Sequence, residues 1–184
     1  MTFAATVGSR DRLRLFCALS LPRGVLEALT RWQRSHLAGD ARIVPRGNLH
    51  VTLAFLGSRP SAEVEPVTAA LREAAAAGRE ILLAPRRYRE TRSVGMLVLD
   101  DEGGRAGELA GRLHARLEEL GVYERERRPW LPHVTVLRFH RAPRLSPPLP
   151  DTGWFSPSGA AVYHSVLRSG GAQYEVLDTV VLGG

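Results

Sequence analysis

Apolar residues along this 184-residue chain change their period several times, and each change marks an element. Arg14 to Leu21 is a short, nearly unbroken apolar run closed by Pro22, which predicts a strand. From Gly24 to His36 the apolar positions Val25, Leu26, Leu29 and Trp32 have the spacing of a helix face, and Gly39-Asp40 ends it. Ala41 to Val44 predicts a short strand before the turn Pro45-Arg46-Gly47. Asn48 to Leu56 predicts a longer strand, closed by Gly57-Ser58. Ser61 opens a second helix, with Glu63 and Glu65 favourable in its first turn, running to about Ala77. Glu80 to Ala84 and Val94 to Asp100 predict strands, followed by the turn Asp101-Glu102-Gly103-Gly104. Leu109, Leu113, Leu117 and Leu120 line one face of a third helix from Arg105 to Leu120, capped by Gly121. His133 to Phe139 predicts a strand and Arg141 to Pro157 a proline-rich loop. Gly159 to Arg168 and Gln173 to Leu182 predict a hairpin around Ser169-Gly170-Gly171. Residues 1–12 predict a flexible polar leader, and 13–184 a single domain.

Within that pattern one phrase occurs twice. Leu49-His50-Val51-Thr52-Leu53 and Pro132-His133-Val134-Thr135-Val136 each set a His and a Thr two positions apart in an apolar run. Residues two apart share a face of a strand. His50 and Thr52 therefore point one way, with Val51 and Leu53 the other. His133 and Thr135 repeat the arrangement. Each phrase follows a helix and a turn, so the chain reads as two related halves. An isolated His-x-Thr means little; a matched pair puts two imidazoles and two hydroxyls within reach of one substrate. Two rings that titrate near neutral pH can serve as base and acid.

Composition narrows the picture only slightly. The net charge is +6, and with no Lys in the chain all 25 basic residues are Arg. Arg forks suit phosphate, though GC-rich coding produces the same bias. The clusters Arg86-Arg87-Tyr88-Arg89 and Arg125-Glu126-Arg127-Arg128 read as solvated faces that could also follow an RNA backbone. One cysteine, Cys17, excludes an internal disulfide, and its apolar surroundings predict a buried, inert thiol. No signal peptide or membrane span is visible, so a cytoplasmic protein is expected. No Cys/His spacing suits zinc and no acidic run precedes a Gly-rich loop, so neither metal nor cofactor is expected.

The residues around the two phrases carry a family resemblance. Arg14 to Pro22, Asn48 to Gly57, Pro132 to Arg138, Tyr163 to Leu167 and Gly170 to Leu177 together resemble the two-histidine phosphoesterases. The finer likeness is to the RNA 2′,3′-cyclic phosphodiesterase branch, also called the 2′-5′ RNA ligase family. It spans roughly residues 13 to 183. Arg46-Gly47-Asn48, Leu131 and the proline-rich stretch from Arg144 to Pro150 depart from the family pattern.

The resemblance implies an α+β fold of two pseudo-symmetric lobes, with antiparallel sheets lining a central cleft and helices outside. It implies metal-independent hydrolysis of 2′,3′-cyclic phosphate RNA ends or nucleotides to a 2′-phosphate. Reversible, ATP-independent 2′-5′ joining would accompany it. His133 would be the base and His50 the acid for the 3′ oxygen. Thr52, Thr135 and Arg138 would hold the phosphate. Phe55 would stack a base, although plain alternation puts it on Val51's face. His36 and His114, on helices, are expected at the surface, and His140 and His164 have no matching partner. The expected partners are RNA ends or cyclic nucleotides, bound by a monomer. The rival reading is a non-catalytic RNA-end binder on the same fold.

Overall fold

A computed structural model describes residues 11–37, 39 and 41–183. Eight strands and three helices follow in the order β1 (Arg12–Ser20), α1 (Arg23–His36), β2 (Arg42–Ile43), β3 (His50–Pro60), α2 (Val64–Ala76), β4 (Leu83–Glu90), β5 (Val94–Asp101), α3 (Arg105–Glu119), β6 (His133–Arg138), β7 (Gly159–Arg168) and β8 (Gly171–Val180). The expected leader lies almost wholly outside the described residues, as does Asp40; Arg12, its last residue, already belongs to β1. The strand expected over Glu80 to Ala84 is displaced. Its true span holds Arg86, Arg87, Tyr88 and Arg89, whose charge hid an edge strand from the apolar pattern.

The strands form one antiparallel sheet in the order β4-β5-β6-β3-β1-β7-β8, with β2 also on β6. The two expected lobes are the halves of this sheet. They join where β3 meets β6 through the pair Val51 and Val134. Trp130 adds a tie across that seam, its indole N–H donating to the Thr52 carbonyl at 3.0 Å. On either side the halves echo each other: β1 pairs with β3 after a connecting α1, and β5 pairs with β6 after a connecting α3.

All three helices back one face of the sheet. Leu29 and Trp32 of α1, Leu71 of α2, and Leu109 and Leu113 of α3 share one core with Val51, Leu53, Val134 and Val136. Burying polar groups in that core requires partners. The Gln33 amide supplies two hydrogen bonds, to the carbonyls of Val44 (3.0 Å) and Val136 (2.9 Å). His114 is a correction to the surface reading: it is buried in α3, with Nε2 2.8 Å from the Leu53 carbonyl. Cys17 is buried as expected, and burial pushes its thiol up to about 12.

Both motif strands carry a β-bulge just beyond the Thr. Between β1 and β3, Ala18 faces Thr52 and Cys17 faces Ala54, leaving Leu53 unopposed. Between β5 and β6, Met96 faces Thr135 and Gly95 faces Leu137, leaving Val136 unopposed. An unopposed residue reverses the alternation that follows it. Leu53 and Ala54 are accordingly both buried, as are Val136 and Leu137. The next residues, Phe55 and Arg138, return to the face of the histidines. Simple alternation, which put Phe55 in the core, fails here because it cannot register the bulge.

Candidate active site

The face opposite the helices gathers the matched residues. Val51 is paired with Val134, so in antiparallel register His50 lies across from Thr135, and Thr52 across from His133. The two histidines are then diagonal neighbours on one face, a relationship of about 7–8 Å in a regular sheet.

Each ring is fixed in the same way. His50 Nδ1 lies 2.8 Å from the Asn48 carbonyl, and His133 Nδ1 lies 2.8 Å from the Leu131 carbonyl. A carbonyl only accepts, so each Nδ1 carries the proton when the ring is neutral. Each Nε2 then carries the ring's lone pair. Thr52 Oγ1 sits 3.0 Å from His50 Nε2, donating to it in this tautomer.

The surroundings of the two rings differ. Phe16 lies 5.0 Å from His50 between centroids, and Tyr174 stands edge-on at 5.3 Å. Tyr163 stacks on Phe16 at 4.9 Å and is held by a 3.0 Å hydrogen bond between its hydroxyl and Ser20 Oγ. Burial among these rings disfavours the imidazolium and lowers the His50 pKa to about 4, against an ordinary 6.5. Its hydrogen bond to Asn48 opposes that shift, while the charges of His133 and Arg138 add to it. That coupling also places β6's two basic groups within electrostatic reach of His50. Among the described residues no aromatic ring packs against His133, which is half-buried, and Arg138 is exposed. Among the described residues, Arg138 makes no ion pair, so its guanidinium is free for an incoming anion.

Phe55 is 48% exposed, with the Arg14 guanidinium 4.9 Å above its ring. A side chain this apolar and this open on the site face is available for stacking. Sequence reasoning missed Phe16, Tyr163, Tyr174 and Asn48. The tyrosines lie in β7 and β8, and only the curl of the sheet brings them back to His50. Their signal was present, since both fall in stretches that resemble the family. His140 and His164 do not join the two motif rings; His164 Nδ1 lies 3.8 Å from Glu175. Among the described residues, no three His, Cys, Asp or Glu side chains group as metal ligands would. No helix among them is long and apolar enough to cross a membrane.

Known proteins resemble this chain in sequence and fold. A family profile described as LigT like phosphoesterase matches residues 19–84. An RNA 2′,3′-cyclic phosphodiesterase of Escherichia coli (strain K12) is 31% identical over 183 residues, covering 89% of this chain and 93% of that protein. One from Thermus thermophilus is 34% identical over 189 residues, covering 94% and 91%. A crystal structure of a Thermus thermophilus protein superposes with a TM-score of 0.80 at 30% identity, covering 94% of this chain and 99% of that one. The chain belongs to the LigT-like phosphoesterases, the two-histidine class that its fold and paired motifs define.

Proposed function

We propose that this protein hydrolyses 2′,3′-cyclic phosphates at RNA ends or on nucleotides, leaving a 2′-phosphate. The observation that carries the reading is the shared face: two His-x-Thr pairs on adjoining strands, each ring with its Nδ1 held by a backbone carbonyl. Names of relatives that align over nearly the whole chain support the same substrate class.

In the proposed reaction His133 Nε2 takes a proton from water. The water oxygen bonds to phosphorus as the bond from phosphorus to the 3′ oxygen breaks. His50 gives its proton to that leaving oxygen, so proton and charge balance across the step. Thr135 and Thr52 donate to the non-bridging oxygens, and Arg138 neutralises the charge that grows on them. Phe55 stacks the terminal base. No step requires a metal ion or a nucleoside triphosphate, and both motifs come from a single chain, so the unit of function is a monomer.

The aromatic wall that keeps the half-buried His50 neutral sets a condition on its role. A bound phosphate supplies the opposite charge that the aromatic wall withholds, so substrate binding and protonation of His50 are linked. Protonation of Nε2 also ends its acceptance of the Thr52 hydroxyl, which frees Thr52 for the phosphate. With the 5′ hydroxyl of a second strand in place of water, the same groups would open the cyclic phosphate as its bond to the 3′ oxygen breaks, forming a 2′-5′ bond without ATP.

The test is incubation with an oligoribonucleotide bearing a 2′,3′-cyclic end, in chelator, followed by assignment of the product phosphate. Conversion to a 2′-phosphate is expected. Tight binding without turnover would replace the enzyme with an RNA-end binder, and a 3′-phosphate product would refute the assigned leaving group.

A further inference from the structure

Asn48 makes more hydrogen bonds than its turn requires. Its N–H donates to the Pro45 carbonyl at 2.8 Å, closing the single turn Arg46–Asn48 that leads into β3. Its carbonyl accepts the His50 Nδ1 proton at 2.8 Å. Its side-chain Nδ2 donates to the Ala172 carbonyl at 2.8 Å, at the start of β8. Two residues beyond Ala172, Tyr174 forms the edge-on wall of the His50 ring. The neighbouring Gly171 has φ +117°, and a Cβ there would collide with the Arg42 guanidinium of β2. The start of β8 is thus seated on the body of the protein by Asn48, beside a Gly171 whose positive φ a side chain would strain.

The second motif has no such strap. The acceptor for His133 Nδ1 is the carbonyl of Leu131, whose 36% exposed side chain carries no donor.

We propose that Asn48 is a positioning residue for His50: its amide seats the start of β8 so that Tyr174 packs against the ring and keeps water from it. One residue then fixes the ring's tautomer through its carbonyl and the ring's dry surroundings through its side chain. This deepens the reading of His50 as the acid and rests on it for its kinetic consequence, though not for its structural one. The titratable and charged groups facing His50 are His133 and Arg138 from β6, Tyr163 from β7 and Tyr174 from β8. Of these, only Tyr174 depends on the strap.

The experiment is an NMR titration of the His50 ring in the full chain, in the parent, Asn48→Ala and Gly171→Ala proteins. Both substitutions should move its midpoint upward from about 4 towards 6.5, because both admit water. With a cyclic-phosphate substrate, kcat should fall about ten- to a hundredfold with KM little changed, the range a misplaced reacting group costs. The double variant should be no worse than the stronger single one, since both release the same contact. An unchanged His50 midpoint in Asn48→Ala overturns the proposal, as does strict additivity of the two substitutions. Should Asn48→Ala fail to fold, Gly171→Ala, which leaves the Asn48 side chain in place, decides by the same midpoint. Shifted midpoints in a protein whose parent cleaves no cyclic ends would uphold the strap and reject the proposed activity alone.

Discussion

The two motif strands have the same design and different tasks. β3 and β6 each run His, apolar, Thr, bulge, and then one residue returned to the site face. Each ring donates a hydrogen bond from its Nδ1–H to the carbonyl two residues before it. In β3 the returned residue is Phe55 and the ring sits among Phe16, Tyr163 and Tyr174. In β6 it is the exposed Arg138, and among the described residues no aromatic ring packs against His133. One frame thus builds an aromatic half suited to a base and a basic half suited to a phosphate. The lesson is that backbone geometry supplies the symmetry, while a single position after the bulge supplies the division of labour.

The most severe way to break the comparison is to remove either ring. His50→Ala and His133→Ala should each lower turnover of a cyclic end by about 10²–10⁴-fold. A substrate with a leaving group that needs no proton, such as a nitrophenyl phosphodiester, should restore much of the loss in His50→Ala and little in His133→Ala. Equal rescue of both variants would erase the proposed roles.

Next come the residues after the bulges. Arg138→Ala should cost about 10²-fold in kcat, as loss of a charge-stabilising group does. Phe55→Ala should act on KM, by the roughly 1–3 kcal/mol of one stacked base. If Phe55→Ala slowed kcat as Arg138→Ala does, the two halves would not differ in task. Thr52→Val and Thr135→Val keep shape and remove one donor each, so each should cost about tenfold in kcat/KM, measured on the same substrate.

The last effect is on stability. The folded His50 titrates near 4 and the unfolded one near 6.5, so between these values the unfolded chain binds more protons. Stability should be full above about 6.5 and fall as the pH drops towards 4. Urea unfolding across this window would show it, and His50→Phe should flatten the slope. A slope unchanged in that variant would mean that burial of the ring is not its source.

The sequence made the two-halved α+β plan and four of the site's groups readable, because a period of two is written directly in His-x-Thr. It misled at Phe55, since a bulge is a property of two paired strands and leaves no mark on one. Only the family resemblance pointed Phe55 to the site. Arg138 came through the same resemblance, and the bulge at Val136 is the physical reason it reaches the groove. Tyr163 and Tyr174 stayed hidden because their approach to His50 depends on how far the sheet curls, and Asn48 because it holds the ring through a backbone carbonyl, which residue type does not reveal. His114 was misplaced for a related reason: a polar residue on a helix reads as exposed until a carbonyl such as that of Leu53 is seen to receive it.

The account stands on both Nε2 atoms addressing one phosphate. Nitrogen NMR of ¹⁵N-histidine-labelled protein, titrated with a nucleoside 2′-phosphate, reads this directly. The Nε2 signals of His50 and His133 should move together at one ligand per chain, with His50 taking up a proton while both Nδ1 atoms keep their carbonyl partners. Movement of one ring alone, or of the two at different ligand concentrations, would contradict it.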